Sequence, residues 1–75
     1  MKKDKLVKTI GSIYELLRDE EKELNARVLN ASDIIEMLSI SRNDFYVAVR
    51  QLLINGYVIK DNSIRPVPYK IGKLL

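Results

Sequence analysis

Two helix-start signals separated by a short turn restrict this chain more than any other feature. Asn30 is a favourable N-cap, and Asp33 lies three residues on, where a carboxylate suits a helix N-terminus. Ser41 is a second N-cap, and Asp44 again takes the third helical position, close to a capping box. Ile34, Ile35, Met37 and Leu38 supply apolar contacts after the first cap. Phe45, Ala48, Val49 and Leu52 share one helical face after the second, with Leu53 at its border. Gly56 is suited to close the second helix, because it can take positive φ at C′. The pattern predicts helices over 31–38 and 42–55, joined through Ser39 and Ile40.

The flanking segments complete the expected fold. Leu6, Ile10, Ile13 and Leu17, with Val7 and Tyr14 beside them, recur at helical spacing and predict a helix over 3–20. Gly11 interrupts it at about 1 kcal/mol relative to Ala. The polar run DEEKELN ends or frays that helix. Residues 26–29 are β-compatible, as are 57–60 and 64–67, with a turn cluster at Asp61-Asn62-Ser63. Pro66 and Pro68 cannot donate to a ladder, so the returning strand is expected at a sheet edge. The expected fold class is α+β and mainly α: three helices, a two-stranded hairpin over 57–67, and a short extra strand near 26–29. A C-terminal tail over 68–75 follows, and residues 1–75 are expected to form one domain.

Composition limits the function classes. The chain has 75 residues, 47% of them apolar, which suits a small globular protein with a thin core. Cysteine and histidine are absent, so disulfides are excluded and only carboxylates remain as metal ligands. Self-association is the expected extra support. No apolar run approaches the roughly 18 to 20 residues of a membrane span. The lysine-rich N-terminus lacks the uninterrupted apolar stretch of a signal peptide, so the cytoplasm is the expected compartment. The net charge is +3 and unevenly spread. Residues 15–23 are acidic, whereas from Arg42 onward Arg50, Lys60, Arg65, Lys70 and Lys73 face only Asp44 and Asp61. A positive C-terminal half suits a polyanionic partner.

The run NASDIIEMLSISR over 30–42, continued by NDFYVAVRQLLINGYVI over 43–59, resembles the winged helix-turn-helix superfamily of DNA-binding regulators. The shared pattern is a small polar cap, a helix ending in Leu, a turn, and Ser-Arg opening a helix closed by Gly and a strand. The resemblance covers about 26–67, and small regulators of archaeal viruses and plasmids have this size and look. Ser39 is a departure: such families usually carry Gly in the turn, and Ser takes positive φ less readily. The resemblance implies that 42–55 is a recognition helix for the major groove and that the hairpin is a wing touching the backbone.

The residue chemistry agrees with that implication. With Phe45, Val49 and Leu52 inward, Asn43, Tyr46, Val47 and Arg50 point outward, and Ser41 and Arg42 lie at the helix tip. Arg can read guanine, Asn can read adenine, and Val47 can meet a thymine methyl. Tyr46 and Ser41 can donate to phosphates, and Lys60 and Arg65 flank the hairpin turn. Each residue also has a plainer reading. Arg42 and Arg50 can be solvated, Tyr46 can pack against the hairpin, and Lys2, Lys3, Lys5 and Lys8 can be a solubilising end. Asp33 and Asp44 read as helix-start residues.

An enzyme is not expected, since no histidine base, thiol nucleophile or glycine-rich phosphate loop is present. No cofactor, metal or small-molecule effector is expected. The leading expectation is a sequence-specific regulator binding double-stranded DNA, homodimeric through helix 1 and the tail from Tyr69 to Leu75. The alternative is a winged-helix protein–protein interaction module, because fold alone does not fix function.

Overall fold

The computed structural model describes residues 2–25 and 27–74. Its elements run α1 (Lys3–Lys22), β1 (Leu29–Asn30), α2 (Ala31–Leu38), α3 (Arg42–Ile54), β2 (Val58–Lys60) and β3 (Pro68–Ile71). The protein is thus α+β and mainly helical, with a three-stranded antiparallel sheet ordered β1-β3-β2. Among the described residues, no helix is long and apolar enough to cross a membrane.

Both helix-start signals act locally. Asn30 accepts from the Asp33 N–H at 2.9 Å, while the Asp33 carboxylate accepts from the Asn30 N–H at 3.1 Å, a complete capping box. Ser41 Oγ accepts from the Asp44 N–H at 3.0 Å. The two helices also end alike. Ile40 N–H reaches the Ile35 carbonyl and Ser39 N–H the Glu36 carbonyl, with Ser39 in the left-handed region at φ 53°. Tyr57 N–H reaches the Leu52 carbonyl and Gly56 N–H the Leu53 carbonyl, with Gly56 at φ 75°. These are paired Schellman closures, one built on serine and one on glycine.

α1 extends to Lys22, beyond the expected residue 20. Two carboxylates of the polar run explain this: Glu20 accepts from the Arg27 N–H at 3.0 Å and Glu21 from the Ile71 N–H at 3.1 Å. Its buried face differs by one position from the apolar stripe. Thr9, Ile13, Tyr14 and Leu17 are buried, Ile10 is half-buried, and Val7 is exposed. Thr9 tolerates burial because its hydroxyl donates to the Lys5 carbonyl at 2.8 Å.

α1 packs chiefly across α3 and β3. Phe45, wholly buried, lies at the centre, edge-on to Tyr69 at 5.5 Å between ring centroids. Ile13, Leu17, Leu29, Ile34, Ala48, Val49, Leu52 and Val58 close around it. Full burial of an aliphatic side chain of this size contributes about 1.5–3 kcal/mol.

The hairpin departs from expectation. The returning strand is not 64–67 but Pro68–Ile71, and it lies at the centre of the sheet, not at its edge. Tyr69 pairs with Leu29 on one side and Lys60 on the other. Pro68 is compatible with that position because it is the first strand residue, where its carbonyl accepts from the Asp61 N–H at 3.3 Å. Residues 61–67 therefore form a longer loop, with a cis Arg65–Pro66 bond. The extra strand near 26–29 is reduced to Leu29–Asn30, and Ala26 lies outside the described residues.

The expected tail is likewise corrected. Residues 68–71 belong to the sheet, Tyr69 is buried, and Ile71 is half-buried. Tyr14 donates its hydroxyl to the Lys73 carbonyl at 2.9 Å, and Gly72 N–H reaches the Tyr57 carbonyl at 2.8 Å. Tyr69 and Ile71, part of the apolar surface that motivated a subunit contact, are thus covered within the chain, while Leu74 stays exposed. Leu75 lies outside the described residues.

Candidate nucleic-acid interface

The outward face of α3 follows from its buried one. Phe45, Ala48, Val49 and Leu52 are buried, and helical spacing then exposes Arg42, Asn43, Tyr46, Val47, Arg50 and Ile54. Tyr46 retains 45% of its surface, Val47 37% and Ile54 67%. Ser41, Lys60 and Arg65 are exposed as well. All eight candidate residues are therefore accessible, and six lie on α3 or its cap.

Two open concavities border this face. One lies between α3 and β2 and is lined by Tyr46, Val47, Arg50, Ile54, Lys60 and Tyr69. The other lies where the starts of α2 and α3 meet the hairpin loop, and Arg42, Tyr46, Lys60, Pro66 and Tyr69 contribute to it. Tyr46, Lys60 and Tyr69 border both, with Arg42 at one concavity and Arg50 at the other. The Tyr46 ring meets Phe45 edge-on at 5.1 Å, which fixes its base while leaving the phenol accessible. Tyr46 is both packed on Phe45 and exposed.

The charges on this face are one-sided. Among the described residues, neither Arg42 nor Arg50 forms an ion pair. Asp44, the acid in the first turn of α3, instead meets Lys5 of α1 at 3.0 Å. The hydrogen bond and charge of Lys5, with the Ser41 hydroxyl, hold the Asp44 carboxyl below its usual range against an opposing desolvation effect. Burial pushes the Tyr69 phenol above its usual range, and Tyr46 beside it acts in the same direction.

The hairpin residues are less uniform. Lys60 ends β2 and is exposed. Arg65 folds back on its own loop, donating to the Ile64 carbonyl at 3.1 Å and to the Asn62 carbonyl. Asp61 accepts from the Ser63 hydroxyl and N–H, which lower its carboxyl pKa in that order of effect. The loop is thereby ordered by its own side chains. Ser41 is also partly committed, since its oxygen caps α3.

Sequence reasoning misses Tyr69, Pro66 and Val67 as lining residues. The segment around Tyr69 reads as a tail, and nothing in its local pattern signals a central strand. Among the described residues, no group of three or more potential metal ligands is present. Comparison with protein-family models, curated proteins and solved structures finds no match to this chain.

Proposed function

We propose that this chain is a sequence-specific double-stranded DNA-binding protein of the winged helix-turn-helix type, acting in transcription regulation. The observation that carries the reading is the outer face of α3. Arg42, Asn43, Tyr46, Val47 and Arg50 are exposed together, Lys60 stands beside them, and the neighbouring acid Asp44 is paired elsewhere. The order of elements supports it: a short strand precedes α2, α3 follows directly, and a hairpin comes next. In this reading α3 enters the major groove with its N-terminal side chains at base edges. Arg42, Asn43 and Arg50 supply donors for bases, while Tyr46 and Lys60 meet phosphates. Arg65 is exposed and donates within its own loop, which orders the wing.

A second reading has one observation in its favour. Ile54 and Val47 leave apolar surface on the same face, which suits a protein partner and an interaction module.

A gel-shift titration against genomic fragments at two salt concentrations separates the two. DNA binding is expected to weaken steeply with salt, with a slope of about −0.9 per phosphate neutralised. Arg50→Ala is expected to lower affinity by about 1–3 kcal/mol and change base preference where it reads a base. Salt-insensitive binding, or none, would reject the DNA reading. A homodimer is part of the proposal only as a scattering mass twice that of the chain at micromolar concentration.

A further inference from the structure

The two flanks of α3 differ in charge. One flank, bearing Arg42 and Tyr46, turns toward the hairpin loop and Lys60. The other, bearing Asp44, turns toward α1, where the Lys5 ammonium lies 3.0 Å from the carboxylate. Asp44 has a structural reason to be acidic. It sits in the first turn of α3, where a negative charge meets the positive end of the helix dipole. The same charge beside a phosphate backbone is repulsive, and it lies close to Arg42 and Asn43, the residues at the helix tip.

Lys5 answers both demands. Its contact is formed across two elements, so it is a product of the fold and not of local sequence. The Asp44 side chain is largely enclosed at 15% exposure, while Lys5 keeps 64% and faces solvent. Lys8, three residues on and exposed, shares the Lys5 face of α1 and forms no ion pair among the described residues. It therefore carries the same charge without an acid to cover.

We propose that Lys5 is a positioning residue of the nucleic-acid face: by neutralising Asp44 it lets the first turn of α3 approach a duplex phosphate backbone. The inference rests on the DNA reading above and adds the residue that makes the helix tip electrostatically acceptable. Lys5 acts through Asp44, and Lys8 serves as its control.

The test is a fluorescence-anisotropy titration of a labelled mixed-sequence duplex with the intact chain. Lys5→Ala, Lys8→Ala, Asp44→Asn and the two lysine–Asp44 double variants are compared at low and raised salt. Lys5→Ala is expected to weaken binding about three- to tenfold at low salt, the difference shrinking as salt screens the uncovered charge. In the Asp44→Asn background the same change is expected to matter less than about twofold, because no charge is then uncovered. Lys8→Ala is expected to cause equal losses in both backgrounds, and Lys5→Arg to bind like the parent. With its Lys5 partner mostly exposed, the pair contributes little to stability, and circular dichroism confirms that each variant is folded. Equal Lys5→Ala losses in both backgrounds would make Lys5 an ordinary cation and overturn the proposal. So would a Lys5→Ala protein that binds like a DNA-binding parent. A parent that ignores the duplex would instead reject the DNA reading itself.

Discussion

Ser39 and Gly56 occupy the same conformation at the ends of adjacent helices, and exchanging their chemistry tests what that conformation demands. Each takes positive φ, 53° and 75°, within the same pair of closing hydrogen bonds. A side chain in this region costs roughly 1–2 kcal/mol through contact of Cβ with the following carbonyl. Glycine removes that strain, but loses about 0.5–1 kcal/mol more backbone entropy on folding. The difference leaves Ser39→Gly more stable by roughly 0.5–1 kcal/mol, or about 2–8 °C in Tm for a domain of this size. Gly56→Ala reverses both terms. A Cβ built there meets nothing within 4 Å, so no clash complicates the comparison. It is expected to destabilise by a similar amount, roughly 0.5–1 kcal/mol. Thermal and urea unfolding, followed by circular dichroism, read both variants. Ser39→Gly that leaves Tm unchanged or lowers it, with Gly56→Ala behaving as stated, would refute the strain argument for Ser39.

Gly11 lies exposed within α1, and a Cβ added to it would meet nothing within 4 Å, so Gly11→Ala is expected to stabilise by about 1 kcal/mol, measured as a raised urea midpoint. Gly72 is the opposite case: its Cβ would fall 2.4 Å from the Gly56 carbonyl oxygen. Gly72→Ala is expected to destabilise by roughly 1–3 kcal/mol, with Tm lowered in a thermal melt. Asp44 and Asp61 both have carboxyl pKa values below the ordinary 3.8 when folded. The unfolded chain then binds more protons at these sites as the solution is acidified, so their contribution is present above about pH 4 and is lost on falling through the folded pKa. Urea midpoints measured from pH 6 down to pH 2 should therefore show a smaller acid loss in Asp44→Asn and Asp61→Asn.

Those glycines and aspartates also mark what can be read from the chain and what cannot. The starts of α2 and α3 are legible because Asn30 and Ser41 act on N–H groups three residues away, a contact wholly encoded in local spacing. The phase of α3 is legible because four apolar residues at helical intervals leave one way to bury them, and that phase exposes every α3 candidate. Strand β3 is not legible. Ile64 and Val67 have the β-favouring character, yet Ile64 is half exposed and the strand begins only at Pro68. Its register is set by Tyr69 meeting Phe45 and Leu29, contacts between residues far apart in the chain. The Lys5–Asp44 pair is hidden for the same reason, as is Thr9 in place of Ile10. At the site, helical side chains are foreseeable from one element, whereas the concavities need the loop and β3 to be placed first.

The strand order carries a consequence for how this protein comes into being. β1 and β2 each pair with β3 and not with each other, so the last strand to leave a ribosome is the one both earlier strands require. Until residues 68–71 have emerged neither ladder can form, and Phe45 lacks its Tyr69 partner. Completion of the sheet therefore waits for that strand, whereas the packing of α1 across α3 does not depend on it.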